Sequence, residues 1–350
     1  MNLVDLLRIS FEREATDLHL TVNSPPVLRI HGQLVFLDQK RLSAKDTEEM
    51  VMDLLSVEQK NVFEEKRSID FGYSVDGLAR FRVNAFYQKG HVAAAFRRFE
   101  TSIRTLQQLG LPHSLYKLSN LRDGLVLVTG PTGSGKSTTL ASMIDRINET
   151  RAGHIITIED PIEYTHEHKK GIVNQREIHT DAFSFSESLR YALREDPDVI
   201  LVGEMRDLDT IRTAIMAAET GHLVFSTLHT RDAVSSIGRM IGVFPAEEQQ
   251  QIRHQLSLVL RAVVSQRLLR RKDNSGLVAA VEIMMVTPGT SNLIRLGKEE
   301  QIYSAIETGG ALGMQTMEQA LCDLYAADKI DRETVLKTAK SERLVERWLE

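Results

Sequence analysis

A chain of 350 residues, 42% hydrophobic and 26% charged, has the composition of an ordinary globular protein and room for roughly one to three domains. A formal net charge of −5, with Lys and Arg dispersed along the chain, argues against the basic footprint of a nucleic-acid binder. The single cysteine, Cys322, excludes a disulfide framework or a cysteine-based zinc site within one chain, and no apolar run reaches the ~18 residues of a membrane span.

The first stretch, residues 2–15, reads as an amphipathic helix with Asp5, Glu12 and Glu14 among its apolar positions, not as a secretion signal. A cytoplasmic protein is therefore expected. A short strand follows at Asp17-Leu18-His19-Leu20, then a hairpin over Val27–Leu37 turning at His31-Gly32. A helix is predicted over 44–65, and three strands over Ile69–Val75, Leu78–Gln88 and His91–Phe99, with Asp76-Gly77 and Lys89-Gly90 as turns. Residues 1–100 thus form a small α+β domain, and 101–112, ending in Leu109-Gly110-Leu111-Pro112, a linker.

From 113 to 350 strands and helices alternate, the pattern of a parallel α/β sheet. Buried-strand runs lie at Leu125–Thr129, His154–Ile158, Val199–Val202 and Leu223–Thr227, with a helix over 136–150. Residues 246–270 read as one long helix, with the basic stretch Arg267 to Lys272 at its end. A strand at Leu277–Met285 and helices over Gln315–Ala326 and Arg332–Leu349 complete the chain.

The chemistry concentrates in the second part. Gly130-Pro131-Thr132-Gly133-Ser134-Gly135-Lys136-Ser137 lies between an apolar strand and a helix, where a phosphate-binding loop works. Glycines let backbone N–H groups turn inward around phosphate, and the helix N-terminus adds its dipole. Pro131 through Thr138 are the expected ATP-binding residues, Lys136 reaching the β/γ-phosphates and Ser137 ligating Mg²⁺. The strand Val199–Val202 runs into Gly203-Glu204, so Glu204 takes the acidic role of the second nucleotide motif, near Mg²⁺ and the attacking water.

Glu159-Asp160-Pro161-Ile162-Glu163 places three carboxylates at another strand end, where Pro161 blocks a helix. Glu163 is the expected base for the lytic water, with a charged surface turn as the plainer reading. His229 and His222 bracket the strand Leu223–Thr227 as candidate γ-phosphate sensors; no third ligand accompanies them for a metal. Arg80, Arg82 and Asn84 share one strand face, and Arg97-Arg98 close the next strand. Spacing leaves two readings open, edge-strand solubilisers or arginine fingers.

These motifs together resemble the type IV pilus retraction ATPases of the PilT family, within the secretion-ATPase superfamily. The resemblance spans nearly the whole chain. It includes Asp17–Leu20, the phosphate loop, Ile158–Glu163, Asp196-Pro197-Asp198 leading to Glu204–Asp207, and Thr220–His222 through Ser226–Thr230. It implies a PAS-like N-terminal domain followed by a RecA-like ATPase domain, a homohexameric ring, and Arg82 and Arg97 as the family's paired arginines. It also implies pilin depolymerisation at an inner-membrane pilus platform protein, to which the ring is peripherally bound, and hence twitching motility. Extension and type II secretion motors usually carry a four-cysteine insertion, which one cysteine cannot supply. Near the C-terminus the family's Ala-Ile-Arg-Asn-Leu-Ile-Arg-Glu is here Gly289–Leu296, with Ser291 and Leu296 replacing two charges. An accessory paralogue, or a motor for a related pseudopilus system, is the alternative reading.

Overall fold

A computed structural model describes residues 2–30, 32–100 and 102–346. Contacts divide the chain into two units, Met1–Ser102 with Asp160–Thr165, and Ile103–Glu159 with His166–Glu350.

The N-terminal unit opens with helix α1 (Leu3–Glu12), started by an Asn2–Asp5 capping box and burying Leu3, Leu6 and Leu7. Strands β1 (Asp17–Leu20), β2 (Val27–Ile30) and β3 (Gln33–Phe36) follow, then helices α2 (Ala44–Met52) and α3 (Val57–Lys66). Strands β4 (Ser68–Val75), β5 (Ala79–Gln88) and β6 (His91–Arg98) complete a six-stranded sheet of order β3-β2-β1-β6-β5-β4. Every pairing in it is antiparallel. Strand β5 shows why the sheet is one-sided: Ala79, Phe81, Val83 and Ala85 are buried, so Arg80, Arg82 and Asn84 face away from the core. The helix expected over 44–65 is two helices. Ser56 and Gln59 form a second capping box that starts α3 anew after α2 ends at Asp53. Of the predicted hairpin turn at His31-Gly32, His31 lies outside the described residues.

The second unit begins with α4 (Ser114–Ser119), β7 (Gly124–Thr129), α5 (Lys136–Thr150), β8 (His154–Glu159), β9 (Ile172–Glu177) and α6 (Phe185–Ala192). It continues through β10 (Val199–Val202), α7 (Leu208–Glu219), β11 (Leu223–Leu228), α8 (Ala233–Gly242) and α9 (Ala246–Val259). After β12 (Leu260–Arg270) and β13 (Leu277–Met285) come α10 (Pro288–Leu296), α11 (Ile302–Thr308), α12 (Met317–Ala326), α13 (Arg332–Thr338) and α14 (Glu342–Glu346). The sheet order is β13-β12-β7-β11-β10-β8-β9, parallel throughout except for β13. Both faces of β7, β10 and β11 are covered, which is why these strands are near-continuous apolar runs. Leu125, Leu127, Val224 and Ile237 belong to one apolar layer, and Val126, Val128, Ile144 and Phe225 to another. Each fully buried side chain of this kind is worth about 1.5–3 kcal/mol.

The single helix expected over 246–270 ends at Val259, and the remainder is strand β12. Burial of Ala262, Val263, Val264 and Ser265 between β7 and β13 outweighs the helical spacing of the residues before them. The basic stretch Arg267 to Lys272 therefore spans the last residues of β12 and the two that follow, not the end of a helix. The helix expected over Arg332–Leu349 is split between α13 and α14, and residues 347–350 lie outside those described. No helix among the described residues is long and apolar enough to cross a membrane.

Candidate nucleotide site

Strand β7 is buried at all six positions and delivers the chain into the phosphate loop at Gly130. Gly130, Gly133 and Gly135 have φ of 145°, 77° and 85°, open to glycine and costly for other residues. Space is equally restrictive. A Cβ on Gly130 would lie 2.3 Å from the Gln266 carbonyl oxygen and 2.5 Å from Ser134 Oγ. Gly135 precedes α5 without any side-chain cap, so the first-turn N–H groups have no side-chain acceptor from the cap residue. That is the geometry a helix offers an anion.

Lys136 is the first residue of α5 and is buried; its Nζ donates to the carbonyls of Gly130 (2.9 Å) and Pro131 (3.1 Å). Pro131, Thr132 and Gly133 form the exposed tip, while Ser137 and Thr138 are half-buried on the first turn. Ser134 Oγ is buried without a hydrogen-bond partner, packed against Gly130 inside the loop.

Parallel register gathers the other groups at the same edge of the sheet. Leu228 pairs with Thr129, so His229 follows β11 level with Gly130. Val202 pairs with Ser226 and Ile158, which brings Gly203-Glu204 and Glu159 to the ends of the two neighbouring strands. The His229 ring then spans the gap: Nδ1 is 3.5 Å from Thr132 Oγ1 and Nε2 is 3.3 Å from Glu204 Oε2. The other carboxylate oxygen of Glu204 lies 2.6 Å from Arg206 Nε. Loop tip, histidine and acid are joined in one line.

Gly203 explains why the acid stands one position later than usual. A Cβ there would come within 3.2 Å of the Ile158 carbonyl and 3.3 Å of Glu159 Cα, so the strand end has little room for an aspartate. Its carbonyl is also taken by the Thr227 hydroxyl (2.6 Å). His222 sits at the opposite end of β11, where Nδ1 is 3.0 Å from the Ala217 carbonyl and 3.1 Å from Thr220 Oγ1. A six-residue strand, about 20 Å long, separates it from the phosphate-loop edge. It finishes α7 and has no place in this cluster. No group of three or more His, Cys, Asp or Glu among the described residues is arranged to hold a metal by itself. Ser137, on the first turn of α5, and Glu204, after β10, each carry an oxygen of the kind Mg²⁺ accepts when phosphates and water supply the rest.

Glu163 belongs to the N-terminal unit, in the segment Asp160–Thr165. Ile162 and Tyr164 are buried and Glu163 between them is half-buried. Arg80 Nε donates to the Ile162 carbonyl at 2.9 Å. Arg82 is gripped by Asp70, Nε lying 3.1 Å from both carboxylate oxygens and Nη2 2.5 Å from one. That bond, and after it the charges of Asp70, Asp160 and Glu163, raises the guanidinium pKa against the opposing effect of burial. Arg97 lies directly across from Arg82 and donates through Nε to Asp17 at 3.0 Å. Two like charges facing each other on neighbouring strands thus each have a carboxylate on the strand beyond. Sequence reading missed Asp17 and Asp70 as partners. Period-two alternation could have found them only together with the strand order, which sets β1 beside β6 and β4 beside β5.

The family model described as type II/IV secretion system protein matches residues 13–322. The chain is 51% identical over 340 residues to the type IV pilus retraction ATPase PilT of Pseudomonas aeruginosa, covering 97% of this chain and 98% of the relative. It is 47% identical over 316 residues to a twitching motility protein of Neisseria gonorrhoeae, covering 90% and 84%. Among solved structures, that of the pilus retraction motor PilT with bound ADP superposes with a TM-score of 0.92 at 47% identity, covering 99% of each chain.

Proposed function

We propose that this chain, which belongs to the type II/IV secretion system protein family and within it to the PilT-type pilus retraction ATPases, hydrolyses ATP to drive retraction of type IV pili. The observation that carries the reading is the line Thr132–His229–Glu204, which ties the tip of an intact phosphate loop to an acid at a neighbouring strand end.

In the mechanism the N–H groups of residues 132–138 receive the phosphates, and Lys136 exchanges its loop carbonyls for β- and γ-phosphate oxygens. Ser137 and Glu204 would hold Mg²⁺, partly through water; when bound, it neutralises charge on the phosphate oxygens. His229 faces the γ-phosphate and keeps Glu204 turned toward the loop. Glu163 takes the proton of the attacking water, and Arg82 and Arg97 offset the charge that develops on the transferred group.

The domains proposed are a PAS-like unit over 1–100, a linker over 101–112 and a RecA-like ATPase over 113–350, with the short segment Asp160–Thr165 of the last counted by its contacts with the first. They would assemble as a homohexamer in the cytoplasm, working on an inner-membrane pilus platform protein without a nucleic-acid partner, and would power twitching motility. Rigid-body movement between nucleotide states is the kind of switch that would do mechanical work.

A second reading, an accessory paralogue or a motor for a related pseudopilus system, draws on helix α10. There Ser291, in place of an arginine, donates to the Ser257 carbonyl of α9 at 2.6 Å, and Leu296, in place of a glutamate, is 56% exposed. The deciding experiment measures ATP turnover of the purified protein and pilus retraction in cells, for the wild type and Lys136→Ala. Loss of turnover together with hyperpiliated, non-twitching cells is expected. Wild-type turnover in Lys136→Ala would sink the ATPase reading, whereas normal twitching after deletion of the gene would favour the accessory one.

A further inference from the structure

Strand β12 runs parallel to β7 with Ser265 opposite Thr129, and the two hydroxyls are bonded at 2.9 Å. The next residue, Gln266, therefore arrives level with the start of the phosphate loop. It is 3% exposed. Its backbone carbonyl abuts Gly130, and its side-chain nitrogen lies 2.7 Å from where a Cβ on Gly135 would stand. Its Oε1 accepts the hydroxyl of Thr139, one turn into α5, at 2.8 Å. One residue thus touches the glycines at both ends of the loop and the helix that follows.

Neighbouring positions of β12 are filled by Ala262, Val263 and Val264, so an apolar side chain would serve if packing alone were required. A buried amide is costly unless its polar atoms are used. Here one of them fixes the helix start. A loop with three glycines at positive φ has many conformations to lose when phosphate binds, and a rigid support lowers that entropic cost in advance.

We propose that Gln266 is a positioning residue for ATP binding, propping the phosphate loop from behind by its contacts with Gly130 and Gly135 and its bond to Thr139. The inference rests on the ATPase reading above and adds a residue to that site which does not itself reach the nucleotide.

The test compares Gln266→Met, which keeps length and volume but removes the acceptor, with Thr139→Val, which removes the donor, and with the double variant. KM for ATP should rise roughly 3- to 10-fold in each single variant, the worth of one buried hydrogen bond, with kcat within about twofold of wild type. The double variant should be no worse than the poorer single one, because both changes remove the same bond. Thr139→Ser should keep the wild-type KM. An unchanged KM with only a lowered Tm would overturn the proposal, leaving Gln266 as core filling, and so would additive effects in the double variant. If Gln266→Met fails to fold, Thr139→Val against Thr139→Ser carries the comparison. If the wild type shows no turnover, the ATPase reading has failed instead. Titration with a fluorescent ATP analogue then reads the same loop, and equal affinities of wild type and variants would overturn the positioning role.

Discussion

The two units place their charged groups by opposite means. In the antiparallel sheet Arg82 and Arg97 sit within strands, on a face, each aimed by a carboxylate from an adjacent strand, Asp70 and Asp17. In the parallel sheet His229 and Glu204 sit just beyond strand ends that register brings side by side, and Lys136 stands where the phosphate loop enters α5. A face arrangement depends on partners distant in sequence. An edge arrangement depends on short segments that each carry their own signature. The first kind can lose one group and keep its fold but misdirect the other, while the second loses chemistry residue by residue.

The largest effect should come from the edge. Glu204→Gln removes the acid's charge while keeping a polar group beside His229 Nε2, so turnover should fall on the order of 10²- to 10³-fold with nucleotide affinity largely retained. Single-turnover kinetics and analogue binding on the same sample check it; retained turnover would mean the acid lies elsewhere. A smaller effect should come from the face. Asp70→Asn leaves Arg82 in place but loosens its aim, so kcat should drop roughly 3- to 10-fold with little change in Tm, since the pair is about 40% exposed. If Arg82→Ala and Asp70→Asn both leave turnover unchanged, Arg82 has no part in the reaction.

The smallest effect concerns a buried acid apart from both arrangements. Glu282 on β13 is 4% exposed and accepts the Ala233 N–H at 2.8 Å. Burial pushes its pKa up to about 7, aided by Asp232 and Glu318 and opposed by the Ala233 N–H and Lys340. The folded state therefore holds its proton more tightly than the unfolded one. The contribution to stability is full below the ordinary glutamate value of about 4.3 and is lost as pH rises through about 7. Glu282→Gln should flatten the Tm profile between those limits and raise Tm at pH 8 by a few degrees, as thermal melts across the range would record.

Much of the edge was legible in the sequence. The phosphate loop is contiguous and flanked by the strand and helix it needs, and Glu204 and His229 each follow an apolar strand run. The division into an α+β part and a parallel α/β part followed from the change in pattern near residue 100. The face was less legible, because Asp17 and Arg97 meet across 80 positions and their pairing requires strand order as well as periodicity. Gln266 was hidden by a different error. Reading 246–270 as one helix placed it on a helix, whereas the run Ala262–Ser265, buried on both sides, makes it part of the strand beside the loop. A central strand that must satisfy two faces carries no alternation, and local pattern gives it no advantage over a helix. The two histidines that bracket β11 cannot be told apart by spacing: a strand has two ends, and only His229 stands at the end beside the phosphate loop.

The short segment Asp160–Thr165 has a consequence for synthesis. It belongs to the N-terminal unit, and the bond from Arg80 to the Ile162 carbonyl spans 82 positions. As the chain leaves the ribosome, the antiparallel unit lacks its last piece until β7, the phosphate loop, α5 and β8 have also emerged. Division of the gene after residue 102 would deliver that unit without Asp160–Thr165, and with it without Glu163. The carboxylate that the resemblance groups with the ATPase motifs is translated as part of one unit's sequence and folded as part of the other.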